Sequence, residues 1–190
     1  MKLKDIVFRT RSCRRFDETH RIDYKTLEEL IDLARLSASG ANRQPLKYLI
    51  YNSLDNCDRI FPSIVWAAYL RDWDGPEQGE RPSAYIIVLG DKTLAEGFGV
   101  DHGIAAQSIM LGATESGLGG CMIASIRREQ LRSELKIPER YEILLILALG
   151  KPVENIIIDR IKDGDVKYWR DSDKNHHVPK RPLDELIIKL

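Results

Sequence analysis

The chain has 190 residues and is 43% hydrophobic, which is enough for one well-buried core, so we expect a single domain spanning residues 1–190. Its 29 basic and 29 acidic residues cancel, which argues against nucleic acid or an anionic membrane surface as a main partner. The longest apolar run, residues 143–149, is far shorter than the roughly 18 residues that a membrane-spanning helix requires.

Targeting and redox features of the sequence predict a cytoplasmic protein. The first residues, MKLKDIVFRTRSC, lack the apolar core of a secretory signal. Cys13, Cys57 and Cys121 are scattered and form no C-x-x-C pair, which argues against a disulfide framework and against a zinc site. We therefore expect reduced thiols and no bound metal.

The first periodic segment predicts an amphipathic helix. Apolar side chains recur at helical spacing over residues 26–37, and Thr26 with Glu29 has the pattern of a capping box. The next loop, residues 39–45, combines short polar side chains with a glycine that permits close backbone approach and a proline that precedes a strand. From composition alone, the better interpretation of this loop is an ordinary helix-to-strand connection.

Residues 62–82 are predicted to form a short helix followed by an irregular loop rich in glycine and proline, a candidate lid. Trp66, Tyr69 and Trp73 lie three, four and seven residues apart, which would place them on one helical face. Aromatic faces bind flat rings by stacking. Trp66 and Tyr69 are therefore candidate substrate contacts, and the alternative is that these aromatic residues pack in the core.

A second helix is predicted over residues 101–116, with Asp101 as its N-cap and Gly117 at its end. Its side chains are apolar or small nearly all round, which indicates burial in the centre of the fold or in a dimer interface. Short β-type runs lie at residues 48–51, 85–89, 121–123 and 142–149. Helical patterns between several of these runs favour an α+β or α/β fold.

Two basic clusters lie near the ends of the chain, residues 11–16 and the pair Lys180 and Arg181. Arginines beside a serine hydroxyl supply the charge-assisted donors that a phosphate selects, although solvated surface charges are the alternative. Common hydrolase, metalloprotease and P-loop motifs are absent. Residues 97–99 begin like a dinucleotide fingerprint, but His102 stands at the position of its third glycine. The last ten residues resume an apolar pattern, and their buried-type side chains need a surface to pack on.

In combination, several segments in this order resemble the nitroreductase family, whose chains carry an R-S-x-R-x-F element, an A-x-S-G-x-N-x-Q-P loop and a buried helix followed by G-L-G. The matching segments are RSCRRF at residues 11–16, ASGANRQP at 38–45, DHGIAAQ at 101–107, GLGGCMI at 117–123, LGKP at 149–152 and the final basic pair. The resemblance therefore spans nearly the whole chain.

The resemblance implies an α+β, nitroreductase-like fold with a central, mostly antiparallel sheet flanked by helices. It also implies a homodimer that buries the long helix, exchanges C-terminal tails and holds two FMN molecules in its interface. The implied activity is transfer of a hydride from NADH or NADPH through FMN to a small organic electron acceptor such as a nitro compound or a quinone. Donor and acceptor would bind alternately, with ping-pong kinetics.

The resemblance also implies a set of cofactor contacts. Arg11 and Ser12 would contact the phosphate and ribityl chain, with Arg181 and Lys180 completing the phosphate site from the tail. Arg14 would lie beside the N1/O2 edge of the flavin. Around the ring, the implied contacts are Ser39, Asn42, Met122, Ile123, Ala124 and Ser125, with a backbone N–H directed towards N5. For Met122 and Ile123, an ordinary core strand is an equal alternative.

Departures from the family pattern leave the acceptor open. Thr10 replaces a common arginine, Ala38 a proline, Leu46 an aromatic residue, and Ala124 a glutamate found in some members. One alternative is a specialised relative with dehalogenase, dehydrogenase or flavin-cleaving activity. Another is a flavin-binding protein that acts as a store or sensor without efficient turnover.

Overall fold

A computed structural model describes residues 1–70 and 72–189. The helices are α1 (Leu3–Arg9), α2 (Tyr24–Arg35), α3 (Leu54–Ile60), α4 (Asp101–Glu115), α5 (Arg128–Leu135) and α6 (Leu183–Leu186). The strands are β1 (Phe16–Asp17), β2 (Leu46–Tyr51), β3 (Ala84–Asp91), β4 (Gly119–Ile123), β5 (Tyr141–Pro152), β6 (Ile156–Arg160), β7 (Trp169–Arg170) and β8 (His176–Lys180). None of the described helices is long and apolar enough to cross a membrane.

The main sheet has five strands in the order β1-β5-β3-β2, with β4 pairing along the same β5 strand. Every pairing in it is antiparallel, which confirms the predicted α+β fold with a mostly antiparallel sheet. All eight residues of β3 are buried because apolar clusters cover both faces of the sheet. The alternation of a strand sends Ile86 and Val88 into one cluster, and Tyr85 and Ile87 into the other.

Helix α2 confirms the predicted amphipathic helix, but it begins earlier than expected. Asp23 is the N-cap, and its carboxylate accepts hydrogen bonds from the backbone N–H and the hydroxyl of Thr26, both at 2.8 Å. The predicted capping box of Thr26 and Glu29 was therefore wrong, because the aspartate upstream provides the cap. The buried face of α2 carries Leu27 and Leu30, which pack in the same cluster as α4.

Helix α4 confirms the predicted buried helix, and Gly117, at a φ of 72°, ends it in the left-handed conformation. Asp101 is its first helical residue rather than its N-cap, which is Val100. The small residue Gly112 permits close approach of α2, because a Cβ there would lie 2.3 Å from Cδ1 of Leu33.

Two structural features were not expected from the sequence. Strands β6, β7 and β8 form a second sheet, in which β8 runs parallel to β6 and antiparallel to β7. The predicted helix within residues 62–82 was wrong: after the 3-10 turn Phe61–Ser63, the described residues of this segment form an isolated bridge, bends and turns. Ile64 pairs with Ile126, and the N–H of Val65 donates to the carbonyl of Ser125 at 2.9 Å, which holds the chain extended. Arg71 lies outside the described residues.

Candidate functional site

A cleft with about 800 Å³ of empty space, part of it open to solvent, lies between the N-terminal segment, α4, β4 and the second sheet. The backbone N–H of Cys13 donates to the carbonyl of Gly120 at 2.9 Å, which fixes the N-terminal segment along β4. We call this the cation cleft, and it is lined by Thr10, Arg11, Ser12, Arg14, Gln107, Met110, Gly120, Met122, Tyr168, His176, Val178 and Lys180.

The charge of the cation cleft is one-sided. Of the lining residues that the structure describes, three are cations, Arg11, Arg14 and Lys180, and none is a carboxylate. Among the described residues, none of the three forms an ion pair with a carboxylate. Nε of Arg11 is buried without a hydrogen-bond partner there, and burial lowers the pKa of this guanidinium. Buried donors need acceptors, so the cleft is suited to an anionic ligand.

Arg14 is held in one orientation by neighbours on several sides. It is only 8% exposed, and its backbone N–H donates to Oε2 of Glu154 at 2.9 Å. Its Nη1 donates to the carbonyl of Ser12 at 3.4 Å and lies 3.2 Å from Nε2 of His176. Its guanidinium also lies 4.8 Å from the centre of the Tyr168 ring, within range of a cation–π contact. A cation with so many contacts is preorganised to face charge in the cleft.

Glu154 is the buried anion that supports this arrangement from outside the cleft lining. Its side chain is fully buried, and its Oε1 accepts two hydrogen bonds from Arg170, one from Nε at 3.1 Å and one from Nη2 at 2.6 Å. Arg170 in turn lies over the ring of Trp73, 4.2 Å from its centre. Because Glu154 also receives the Arg14 backbone N–H, one carboxylate links the N-terminal segment to the second sheet.

Strand β4 and the residues after it contribute unequally to the site. Met122 lines the cation cleft, whereas Ile123 is only 5% exposed and packs in the opposite core cluster. Alternation along the strand explains this difference, so the side chain of Ile123 has a packing role. Ala124 and Ser125 follow the strand and are exposed, and the carbonyl of Ser125 is used in the pairing with Val65.

The loop 39–45 lies in a different cleft, with about 570 Å³ of empty space, so one chain does not bring Ser39 and Asn42 to the cation cleft. The hydroxyl of Ser39 donates to Asp101 at 2.6 Å and accepts the backbone N–H of Gln44 at 2.9 Å. Ala41, Asn42 and Gln44 all adopt positive φ, between 51° and 55°. Left-handed conformations of non-glycine residues are unfavourable and concentrate at functional sites.

The remaining predicted residues do not all lie in the cation cleft. Lys180 lines the cation cleft, whereas the exposed Arg181 pairs with Glu185 one helical turn away, at 3.2 Å. Trp66 is only 6% exposed and packs against Trp73, with ring centres 6.3 Å apart. The burial of Trp66 and the absence of the predicted helix from the described residues do not favour its assignment as a substrate contact.

Tyr69 is the member of the predicted aromatic face that contacts a residue of the cation-cleft lining. It is 48% exposed, and its ring centre lies 5.0 Å from that of Tyr168, a cleft-lining residue. Its backbone N–H also donates to the Tyr168 hydroxyl at 3.3 Å.

Sequence reasoning missed Tyr168 and Glu154. The signals present were an aromatic pair within a polar tail, Tyr168 and Trp169, and two adjacent histidines on an unpredicted strand. Because successive residues of β8 face opposite ways, His176 enters the cleft while His177 lies 2.8 Å from Asp159 and 3.2 Å from Asp171.

Comparison with known proteins identifies the family. The family model of the nitroreductase family matches residues 7–72 and 77–151. YodC of Bacillus subtilis (strain 168), a candidate NAD(P)H nitroreductase, is 25% identical in a 180-residue alignment, and the match covers 79% of this chain and 89% of YodC.

Solved structures share the fold. A nitroreductase family protein from Clostridium novyi NT is 24% identical, with a TM-score of 0.65, and the match covers 80% of this chain and 86% of that one. An FMN-dependent nitroreductase from Clostridium difficile R20291 is 21% identical, with a TM-score of 0.62 and coverage of 88% and 92%. The family match, the order of the motifs and the shared fold agree: the chain belongs to the nitroreductase family.

Proposed function

We propose that this protein is an FMN-dependent oxidoreductase that takes a hydride from NADH or NADPH and passes electrons to a small organic acceptor, such as a nitro compound or a quinone. The observation that carries the proposal is the cation cleft, whose lining, within residues 1–70 and 72–189, contains three cations and no carboxylate. The names of the similar proteins support it, since one is an FMN-dependent nitroreductase and another a candidate NAD(P)H nitroreductase.

The residues of the cation cleft fit the phosphate of FMN. Arg11 has a buried Nε–H without an acceptor among the described residues, and Lys180 has no carboxylate partner there. The hydroxyl of Ser12 adds a neutral donor beside them. Guanidinium, ammonium and hydroxyl groups together are the usual partners of a phosphate monoester. The space that a water-sized molecule can occupy in the cleft, about 320 Å³, also lies at the lower end of the typical size of small-molecule sites, about 300–1,000 Å³.

The apolar part of the cleft lining fits a flat, partly apolar ring. Met110 and Met122 supply an adaptable apolar wall, and Arg14 supplies a fixed positive charge beside it. When bound, FMN supplies the hydride-transfer chemistry, while the protein supplies binding, orientation and electrostatics. A preorganised guanidinium favours the more negative state of a neighbouring redox group, which is the role we assign to Arg14.

We infer that a second copy of the chain completes the site. Helix α1 exposes Leu3 and Phe8 at 69% and 64%, and the tail exposes Leu183 and Ile188 at 70% and 80%. Exposed apolar groups in two terminal segments favour an interface between copies, with the tail exchanged as the resemblance implies. The strained loop 39–45, which one chain keeps apart from its own cation cleft, would then face the cleft of the other copy.

Anaerobic mixing of the FMN-loaded protein with NADH or NADPH tests the activity. We expect at least one of the two donors to bleach the visible absorbance of the flavin, and addition of a nitro compound or quinone to restore it. Bound flavin that neither nucleotide reduces would contradict the oxidoreductase proposal and favour a store or sensor. Protein that takes up no FMN would contradict both.

A further inference from the structure

The second sheet contributes an aromatic cluster to the cation cleft. The ring centre of Tyr168 lies 5.3 Å from that of His176 and 5.0 Å from that of Tyr69. The Arg14 guanidinium lies over the Tyr168 ring and within 3.2 Å of Nε2 of His176. Both Tyr168 and His176 line the cleft, so the C-terminal part of the chain closes the wall beside Arg14.

The contact with Arg14 fixes the tautomer of His176. A guanidinium N–H can only donate, so Nε2 of His176 accepts and the ring proton is on Nδ1. Burial and, to a smaller extent, the charges of Arg14 and Arg170 outweigh the opposing charge of Glu154 and lower the pKa of His176 to about 4. The imidazole is therefore neutral at pH 7, with one acceptor and one donor.

The donor of this neutral ring has no acceptor among the described residues. His176 is only 1% exposed, and its Nδ1 is shielded from solvent without a hydrogen-bond partner there. Buried polar groups of native proteins are almost always hydrogen-bonded, and an unpaired one calls for an explanation. Since the ring lines a cleft suited to a ligand, an oxygen of that ligand could accept the hydrogen bond from Nδ1–H.

We propose that His176 has two roles in the cation cleft: its Nε2 positions Arg14, and its Nδ1–H donates a hydrogen bond to an oxygen of the bound flavin. The inference rests on the proposed function, because the flavin is the ligand concerned. The inference adds a residue of the second sheet to the family's motif residues. One buried imidazole would contact Arg14 through Nε2 and the flavin through Nδ1.

The neighbouring histidine provides a matched control on the same strand. His177 faces away from the cleft, where it lies between Asp159 and Asp171 and stacks on Trp169 with ring centres 4.1 Å apart. A substitution there disturbs the second sheet without removing a group that lines the cleft.

Two substitutions separate the proposed roles. H176Q retains an amide group near the position of Nε2 but lacks a donor at Nδ1, whereas H176N retains a group near Nδ1 and cannot reach Arg14. We expect H176Q to weaken FMN binding about 5- to 30-fold, the effect of losing one buried hydrogen bond. We expect H176N to make the reduction potential of the bound flavin more negative, because Arg14 is less well positioned. H177Q should leave both quantities unchanged.

Nitrogen-15 NMR of the wild-type imidazole tests the same inference without a variant. The apoprotein should show His176 protonated on Nδ1 alone, and FMN should shift that resonance more than any resonance of His177. An Nδ1 resonance that ignores FMN, or an H176Q variant that binds FMN as tightly as H177Q, would overturn the inference while leaving the proposed function intact. Wild-type protein that binds no FMN would overturn both.

Discussion

Glu154 is the residue whose neutralisation should destabilise the site most directly. Its two carboxylate oxygens accept three donors, the backbone N–H of Arg14 and the Nε and Nη2 groups of Arg170. Glutamine has the same shape but only one acceptor oxygen. In E154Q, the amide NH₂ must therefore face one of these donors in either orientation, and Arg170 loses its counter-charge.

The magnitude follows from the burial of the pair. Removing one partner of a buried ion pair typically costs about 3–5 kcal/mol. Since the Glu154 side chain is fully buried but that of Arg170 is 16% exposed, we expect the lower end of that range, about 3 kcal/mol. For a domain of this size, a loss of about 3 kcal/mol lowers the melting temperature by roughly 6–12 °C.

Urea unfolding of the apoprotein, at one fixed protein concentration, measures the effect. The matched control is E134Q, because Glu134 pairs with Arg59 at 2.7 Å but both side chains are more than 40% exposed. This exposed pair should contribute less than about 1 kcal/mol. The double variant E154Q/R170M should recover part of the loss, because it removes the unpaired cation. Equal destabilisation by E154Q and E134Q would refute the assignment of Glu154 as a buried anchor.

Three further predictions concern ligand affinity, the aromatic segment and pH. K180A should weaken FMN binding by about 1.5–3 kcal/mol, the range of a charge-assisted hydrogen bond, and more than R181A does; equal effects in fluorescence titrations would show that both cations reach the phosphate. W66A should lower the free energy of unfolding by about 3–5 kcal/mol, because it truncates a core side chain. Y69A should change the relative rates with different acceptors and cause little loss of stability. The reverse pattern in unfolding and steady-state assays would exchange the two roles. The two adjacent histidines should give opposite pH dependences. Burial lowers the pKa of His176 from 6.5 to about 4, so its contribution to stability is complete above about pH 6.5 and is lost as the pH falls towards 4. Burial opposes but does not outweigh the hydrogen bonds that His177 donates to Asp171 and Asp159, which raise the pKa of His177. Its contribution is therefore complete below about pH 6.5 and is lost as the pH rises through the raised value. Unfolding curves of wild type, H176N and H177Q measured across pH check both pH dependences. If the stability that H177Q loses grew with pH, the prediction for His177 would be contradicted.

The parts of the fold that could be predicted are those with a strong local pattern. The apolar runs of β3 and β5 and the nearly all-apolar α4 are recognisable in sequence because burial on both sides leaves few polar positions. Strand β1 has two residues, and β7 has two, which is too short for any periodicity. The aromatic spacing of residues 66–73 predicted a helix, but the chain enters this segment in an extended conformation, held by the pairing of Ile64 with Ile126.

The candidate site was predictable only where short motifs mark it. Arg11, Ser12 and Arg14 stand in one such motif, and the structure places all three in the cation cleft with Met122 and Lys180. Ser39 and Asn42 stand in another, but the motif does not reveal that the fold of one chain keeps this loop in a different cleft. A second copy would be needed to bring it to the cation cleft. The contribution of His176 depends on which face of an unpredicted strand it occupies, and no local pattern encodes that choice.

Paired titrations of the apoprotein with FMN and with riboflavin test the central claim most directly, because the two ligands share the ring and differ in the phosphate that the cation cleft is proposed to bind. We predict about one FMN bound per chain and an FMN affinity that falls with added salt. Riboflavin should bind at least tenfold more weakly, because it lacks a charge-assisted hydrogen bond of about 1.5–3 kcal/mol. Equal affinity for the two flavins, or no binding of FMN, would contradict the account.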